Sequence, residues 1–146
     1  VAAVNTTLAA LPRAVAWCAR DRLWDRAHRD APALAAELLR RTAASPVLPR
    51  AAAADATVLG HRIRRGDRLL LVARHAAQAH RDTPAHPHAT RAPFGLGPHS
   101  CPGAALARAQ LALLLTTLAP HHPRVLRTAP HPTSALPSYR SCVLQK

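Results

Sequence analysis

The chain has 146 residues, with 20 lysines and arginines against seven acidic residues, a formal charge of +13 and 14 prolines. That length suits one domain, and three scattered cysteines do not make a disulfide framework, which excludes a disulfide-stapled secreted scaffold and leaves a reducing, cytoplasmic setting as the expectation. Such charge attracts phosphates, but aromatic residues at 3% offer few platforms for stacking bases and the arginines are scattered, so a basic nucleic-acid-binding protein is a rival reading without a specific target.

In chain order, the first element is a helix beginning Ala2-Ala3-Val4-Asn5-Thr6-Thr7, a threonine-rich start of an ordinary kind. Pro12 lies inside it, and because proline removes a backbone donor and clashes with the preceding turn, a kink or break is predicted there. Asp30 is placed to cap a second helix with Pro32 in its first turn. On that helix Leu34 and Leu38 stand one turn apart, and Glu37 shares a face with Arg40, three residues on, while Arg41 at i+4 competes for the same carboxylate. Arg50 follows in SPVLPR. Thr57-Val58-Leu59 and His61-Arg62-Ile63 flank Gly60 as a β-hairpin, Arg65-Gly66-Asp67 turns the chain into the apolar run Leu69–Val72, and Ala73–His80 reads as helix.

From Asp82 to Phe94 the chain is short and proline-punctuated. His86 and His88 there, with His99 and Cys101, could be imagined as a zinc site, but the flanking prolines and the lack of a second cysteine at ligand spacing argue against it. The string FGLGPHSCPG, Phe94–Gly103, then sets a lone cysteine between a glycine-rich turn and an apolar helix. Gly95 and Gly97 can take positive φ and let the chain lie flat against a ligand. Pro102 suits the first helical turn, so Cys101 is predicted at a helix N-terminus, where orphan N–H groups and the dipole favour an anionic sulfur. One sulfur is too few for zinc, whereas a haem iron brings four porphyrin nitrogens and asks the protein for one axial group. The helix Ala104–Ala119 is apolar nearly all round and is predicted to lie in the core. Its apolar length is too short to span a bilayer, and the proline-punctuated tail ends as an edge strand.

The string Phe94–Gly103 resembles the haem-binding signature of the cytochrome P-450 family, F-G-x-G-x-[HR]-x-C-x-G, at every specified position. That resemblance implies haem b, iron protoporphyrin IX, with Cys101 as its proximal thiolate ligand, Phe94 packed by the sulfur, His99 near a propionate and Gly103 close to the macrocycle. It also implies that Glu37 and Arg40 are the family's structural E-x-x-R and that Arg50 holds a propionate. The stretch Gly60-His61-Arg62-Ile63-Arg64-Arg65-Gly66-Asp67 is similar to the family's G-x-x-I-x-x-G-D. The opening helix resembles the family's A-[AG]-x-[DE]-T-T, which gives Thr6 a part in proton delivery to dioxygen, with Asn5 standing where the family carries an acid.

The fold implied is mainly α with a small β-hairpin region, the C-terminal part of the cytochrome P-450 fold, and residues 1–146 are expected to form one incomplete haem-binding region. As part of an intact enzyme it would serve a haem-thiolate monooxygenase that takes electrons from a ferredoxin- or flavodoxin-type donor and inserts one oxygen atom into a small organic substrate. No membrane and no specific nucleic acid are expected as partners. An inactive remnant without catalysis is the other alternative.

Overall fold

Helix α1 (Ala2–Arg20) leads the computed structural model, which describes residues 2–73, 90–134 and 136–146. The helix runs unbroken through Pro12, so the predicted break does not occur. Proline in a helix interior costs about 3 kcal/mol. Both halves of α1 nevertheless bury the same face, with Ala9, Ala10, Ala14, Val15 and Cys18 in the core, and that shared packing holds the two halves in line. The helix ends in a Schellman motif: Arg22 adopts φ 55, Leu23 N–H donates to the Cys18 carbonyl at 2.9 Å, and Arg22 N–H donates to Ala19 at 3.3 Å.

Helix α2 (Trp24–Arg41) is two helical segments joined at Asp30, whose φ of −152° and ψ of 76° are not helical. The Asp30 Oδ1 atom accepts the Ala33 N–H at 3.0 Å, so the carboxylate caps the second segment as the sequence predicts, with Pro32 in its first turn. That segment buries Leu34, Ala35, Leu38 and Leu39. Its end is sealed by Thr42, whose backbone N–H and hydroxyl both donate to the Leu38 carbonyl, at 2.8 and 2.7 Å.

Helix α3 (Ala104–Leu118) packs on α2 through Leu111 and Leu115, both fully buried, which are one turn apart and meet the equally spaced Leu34 and Leu38 in a single cluster. Its other faces are open: Leu106 is 62% and Leu113 69% exposed. The expectation of a helix buried all round is therefore met on one face only, because the described residues supply a partner, α2, for that face alone.

The strands form antiparallel pairs at the periphery. β1 (Leu48–Ala51) pairs with β4 (Arg68–Leu71), setting Arg50 opposite Leu69. Between them β2 (Ala56–Val58) and β3 (His61–Ile63) make the predicted hairpin. Its turn is Leu59-Gly60, with φ of 49° and 81°, the pair of positive values that a two-residue type I′ connection needs. Leu59 thus belongs to the turn and not to the strand in which the sequence places it. β5 (Arg124–Pro130) and β6 (Tyr139–Gln145) form the C-terminal hairpin. Trp24 Nε1–H fastens it to the helices by donating to the Pro123 carbonyl at 2.9 Å, and Arg20 donates to Thr128 Oγ1 at 3.0 Å. The predicted helix Ala73–His80 lies, after Ala73, outside the described residues, as do His86 and His88. Among the described residues no helix is long and apolar enough to cross a membrane.

Cys18 sits in the core with no exposure, and burial, helped by the negative charge of Asp21, pushes its thiol from 9.0 up to about 12. Cys101 is exposed. Alkylation with iodoacetamide at mildly alkaline pH should therefore modify Cys101 in the native protein and reach Cys18 only after denaturation, as read by peptide mass spectrometry. Because the folded thiol holds its proton to higher pH than the unfolded one, stability should also decline as pH rises from about 9 towards 12.

Candidate haem-thiolate site

The cysteine loop is shaped by two short 3-10 turns, Ala92–Phe94 and Gly97–His99. Gly95 and Gly97 stand between and within them at φ of 78° and 77°, the left-handed region that a side chain disfavours. The loop is then closed by one backbone bond, Cys101 N–H to the Phe94 carbonyl at 2.8 Å. Gly103 is the N-cap of α3, and Cys101 lies two residues ahead of it. Pro102 therefore occupies the entry turn, where Ala104 N–H donates to the Cys101 carbonyl at 3.3 Å, and not the first helical turn as predicted. A β-carbon on Gly103 would stand 3.8 Å from Cys101 Sγ, an ordinary van der Waals contact. The Phe94 ring is covered by the Arg108 guanidinium, 4.7 Å from its centroid, and Arg108 also donates to the Thr90 carbonyl at 2.7 Å.

A cleft of about 270 Å³ opens in front of this loop. Phe94, Gly95, His99, Cys101 and Gly103 line one side, Thr6 and Thr7 of α1 another, and Arg50 of β1 its edge. Elements far apart in sequence thus bring together most of the predicted site residues. Gly97 shapes the loop without lining the cleft. Asn5 lines instead a larger cavity of about 790 Å³ between α1 and the β5–β6 hairpin, which contains no residue of the cysteine loop. Both cavities are lined by a cysteine, a histidine and an arginine, which are His131, Arg140 and Cys142 in the larger one, but only the smaller is lined by the glycine-shaped cysteine loop. Sequence reasoning missed Thr7, Leu39 and Gln110, which also line it. Gln110 was discoverable, lying seven residues, two helical turns, beyond Gly103 on the same face of α3.

Behind the cleft, Glu37 carries two ion pairs, with Arg26 at 2.6 Å and Arg41 at 3.2 Å. The pairing predicted from sequence was with Arg40. Arg40 is instead buried with Leu38 and Leu39, while the i+4 competitor takes the carboxylate and also lies over the Trp17 ring at 5.2 Å. Arg26 was not foreseen. Eleven residues of unbroken helix would hold it about 16 Å from Glu37 along the axis, and the break at Asp30 brings it back.

The donor set fits an iron porphyrin. Among the described residues no group of three or more histidine, cysteine and acidic side chains could enclose a metal ion, so a metal held here must bring its other ligands with it. The cleft offers one sulfur, an apolar lining that includes Leu39, Leu48 and Leu106, and two cation-capable groups, Arg50 and His99, for carboxylates at its edge.

The family profile described as Cytochrome P450 matches residues 32–121, which span Glu37, Arg50 and the whole cysteine loop. The chain belongs to the cytochrome P450 family. Its fold is similar to that of CYP109B1 from Bacillus subtilis, with 29% identity and a TM-score of 0.79 over 97% of this chain and 43% of that one. CYP108D1 from Novosphingobium aromaticivorans matches with 26% identity and a TM-score of 0.74, over 94% of this chain and 37% of that one. CYP109E1 from Bacillus megaterium, solved with corticosterone, matches with 21% identity and a TM-score of 0.80, over 99% of this chain and 44% of that one. The chain thus spans less than half the length of these relatives. No curated protein matches the sequence.

Substituting Gly95→Ala should destabilise the loop by about 1–2 kcal/mol, since an alanine at φ 78° is strained whatever the space around it. Gly103→Ala, whose added carbon meets only ordinary contacts, should change the melting temperature far less. Glu37→Gln should cost about 1–2 kcal/mol by weakening two charge-assisted bonds, and urea denaturation measures each value.

Proposed function

We propose that this chain forms the haem-binding part of a P450-type monooxygenase, with Cys101 as the axial thiolate. The observation that carries the reading is the exposed Cys101 at the mouth of a cleft, fixed by its bond to Phe94 and backed by the glycine cap of an apolar helix. When bound, haem b supplies a redox-active iron at which dioxygen can be reduced.

The protein's own residues divide the remaining work. Cys101 Sγ would hold the iron as an anionic ligand, donating electron density to it. Arg50 and His99, which line the cleft, would hold the propionate carboxylates. In this structure the Arg50 guanidinium donates only to the neighbouring Pro49 carbonyl at 2.8 Å among its described bonds, which leaves donors for a carboxylate. Thr6, facing the sulfur's cleft from α1, holds a proton-bearing hydroxyl on the side from which dioxygen and substrate approach. Asn5 is neutral and lines the neighbouring cavity, so proton delivery rests on Thr6 and not on an ionising pair. In the overall reaction an acidic ferredoxin or flavodoxin would supply two electrons and solvent two protons, one atom of dioxygen would enter the C–H bond of a small organic substrate, and the other would leave as water.

Haem reconstitution of the purified chain, followed by reduction and carbon monoxide, tests the assignment. The expected result is the red-shifted Soret band that thiolate ligation produces, and its loss in Cys101→Ser. A band that survives in Cys101→Ser, or no haem uptake, would overturn the reading.

A further inference from the structure

Arg108 is the only charged residue of α3, a helix of otherwise apolar and neutral side chains. It is half-buried, and among the described residues no carboxylate pairs with it. A guanidinium drawn out of water is costly unless its charge and its N–H groups are met by something else. Here they are met on the approach to the cysteine loop. The guanidinium lies over the Phe94 ring, 4.7 Å from the centroid, and one of its N–H groups donates to the Thr90 carbonyl at 2.7 Å. Thr90 stands ahead of the 3-10 turn Ala92–Phe94 and Phe94 ends it, so one side chain rooted in α3 grips both ends of that turn. The turn in its place holds the backbone of the cysteine, because the Phe94 carbonyl accepts the Cys101 N–H at 2.8 Å. Arg108 itself is well anchored, one helical turn before the fully buried Leu111. A strap thus runs from the core through Arg108 and Phe94 to Cys101, and all of it lies within the chain.

We propose that Arg108 is a positioning residue for the axial cysteine, clamping the turn that carries Phe94 and so setting where the loop presents Sγ. The proposal rests on Cys101 being the ligand. Leu106, Ala107 and Gln110, its neighbours on α3, line the cleft, whereas Arg108 does not, so it acts through Phe94 and not on a group bound there. A guanidinium can lie flat on a ring while an edge N–H reaches a carbonyl, a combination that a lysine ammonium, having no plane to stack, supplies only in part.

Hydrogen exchange of the purified chain without haem, read by peptide mass spectrometry, tests the clamp. Arg108→Met keeps an unbranched stem and removes the charge and the donors. It should speed exchange of the Gly95, Ser100 and Cys101 amides by about tenfold while Leu111–Leu118 exchanges as in the parent chain. Arg108→Lys should speed the loop by only about threefold. Arg127→Met, which removes an exposed charge from β5, should leave the loop unchanged. In the chain loaded with haem, with bound haem quantified separately, Arg108→Met should lower the share of the reduced carbon monoxide complex that gives the thiolate band, and Arg108→Lys should restore part of it. No haem uptake by the parent chain would overturn the ligand assignment and leave the exchange rates to decide the clamp by themselves. The proposal is overturned if Arg108→Met leaves loop exchange at the parent rate, if α3 speeds up as much as the loop, if lysine is no better than methionine, or if the thiolate share is the same in Arg108→Met as in the parent.

Discussion

The contact of Leu34 and Leu38 on α2 with Leu111 and Leu115 on α3 carries the geometry on which everything else depends. All four are buried to within 1% of completeness and lie at i, i+4 spacing, so two helices distant in sequence meet along matching ridges. Truncating one such leucine costs about 2–5 kcal/mol in a close-packed core, a large share of the stability of a small domain. The contact also fixes direction. The second segment of α2 leads out through Thr42 to β1 and Arg50, and α3 leads back through Gly103 to Cys101, so one apolar seam places an arginine and a sulfur on the same cleft.

The loop that presents the sulfur works by conformational restriction more than by contact energy. Two glycines at positive φ, the 2.8 Å bond from Cys101 N–H to the Phe94 carbonyl and the turn bonds from Gly95 and Ser100 N–H define its path, with Gly103 beside Sγ at ordinary contact distance. A sulfur on so short and braced a loop would need little reorganisation to meet a metal. Cys18 is the internal contrast: the same residue type, buried among alanines and leucines, holds its proton to high pH and behaves as a small hydrophobe.

Local chemistry made much of this legible in the sequence. The Asp30 cap, the Gly60 hairpin and the glycine turns before Cys101 rest on backbone preferences a few residues long, and each is found where the sequence puts it. The errors arise where a distant partner decides. Pro12 does not break α1 because the core holds both halves. Glu37 selects Arg26 and Arg41 because a kink upstream and the i+4 geometry outweigh the nominal i+3 neighbour. The uniform apolarity of α3 reads as full burial, yet burial is a property of what surrounds a helix, and the described residues surround only one face of it.

The charge of +13 acquires a structural meaning once the acids are followed individually. Among the described residues Asp30, Asp55 and Asp67 accept backbone N–H groups, and Asp21 accepts the Trp17 indole N–H at 2.6 Å. Asp25 lies 3.6 Å from His122, and Glu37 pairs with Arg26 and Arg41. Three of the six described acids are thus committed to shaping turns and a helix start, where they make no ion pair with an arginine among the described residues. A protein with the same composition but with its acids paired to arginines would present a quieter exterior. Here the backbone takes three of the six described carboxylates, so the outward positive field reflects how the fold uses its few acids as well as how many arginines it has.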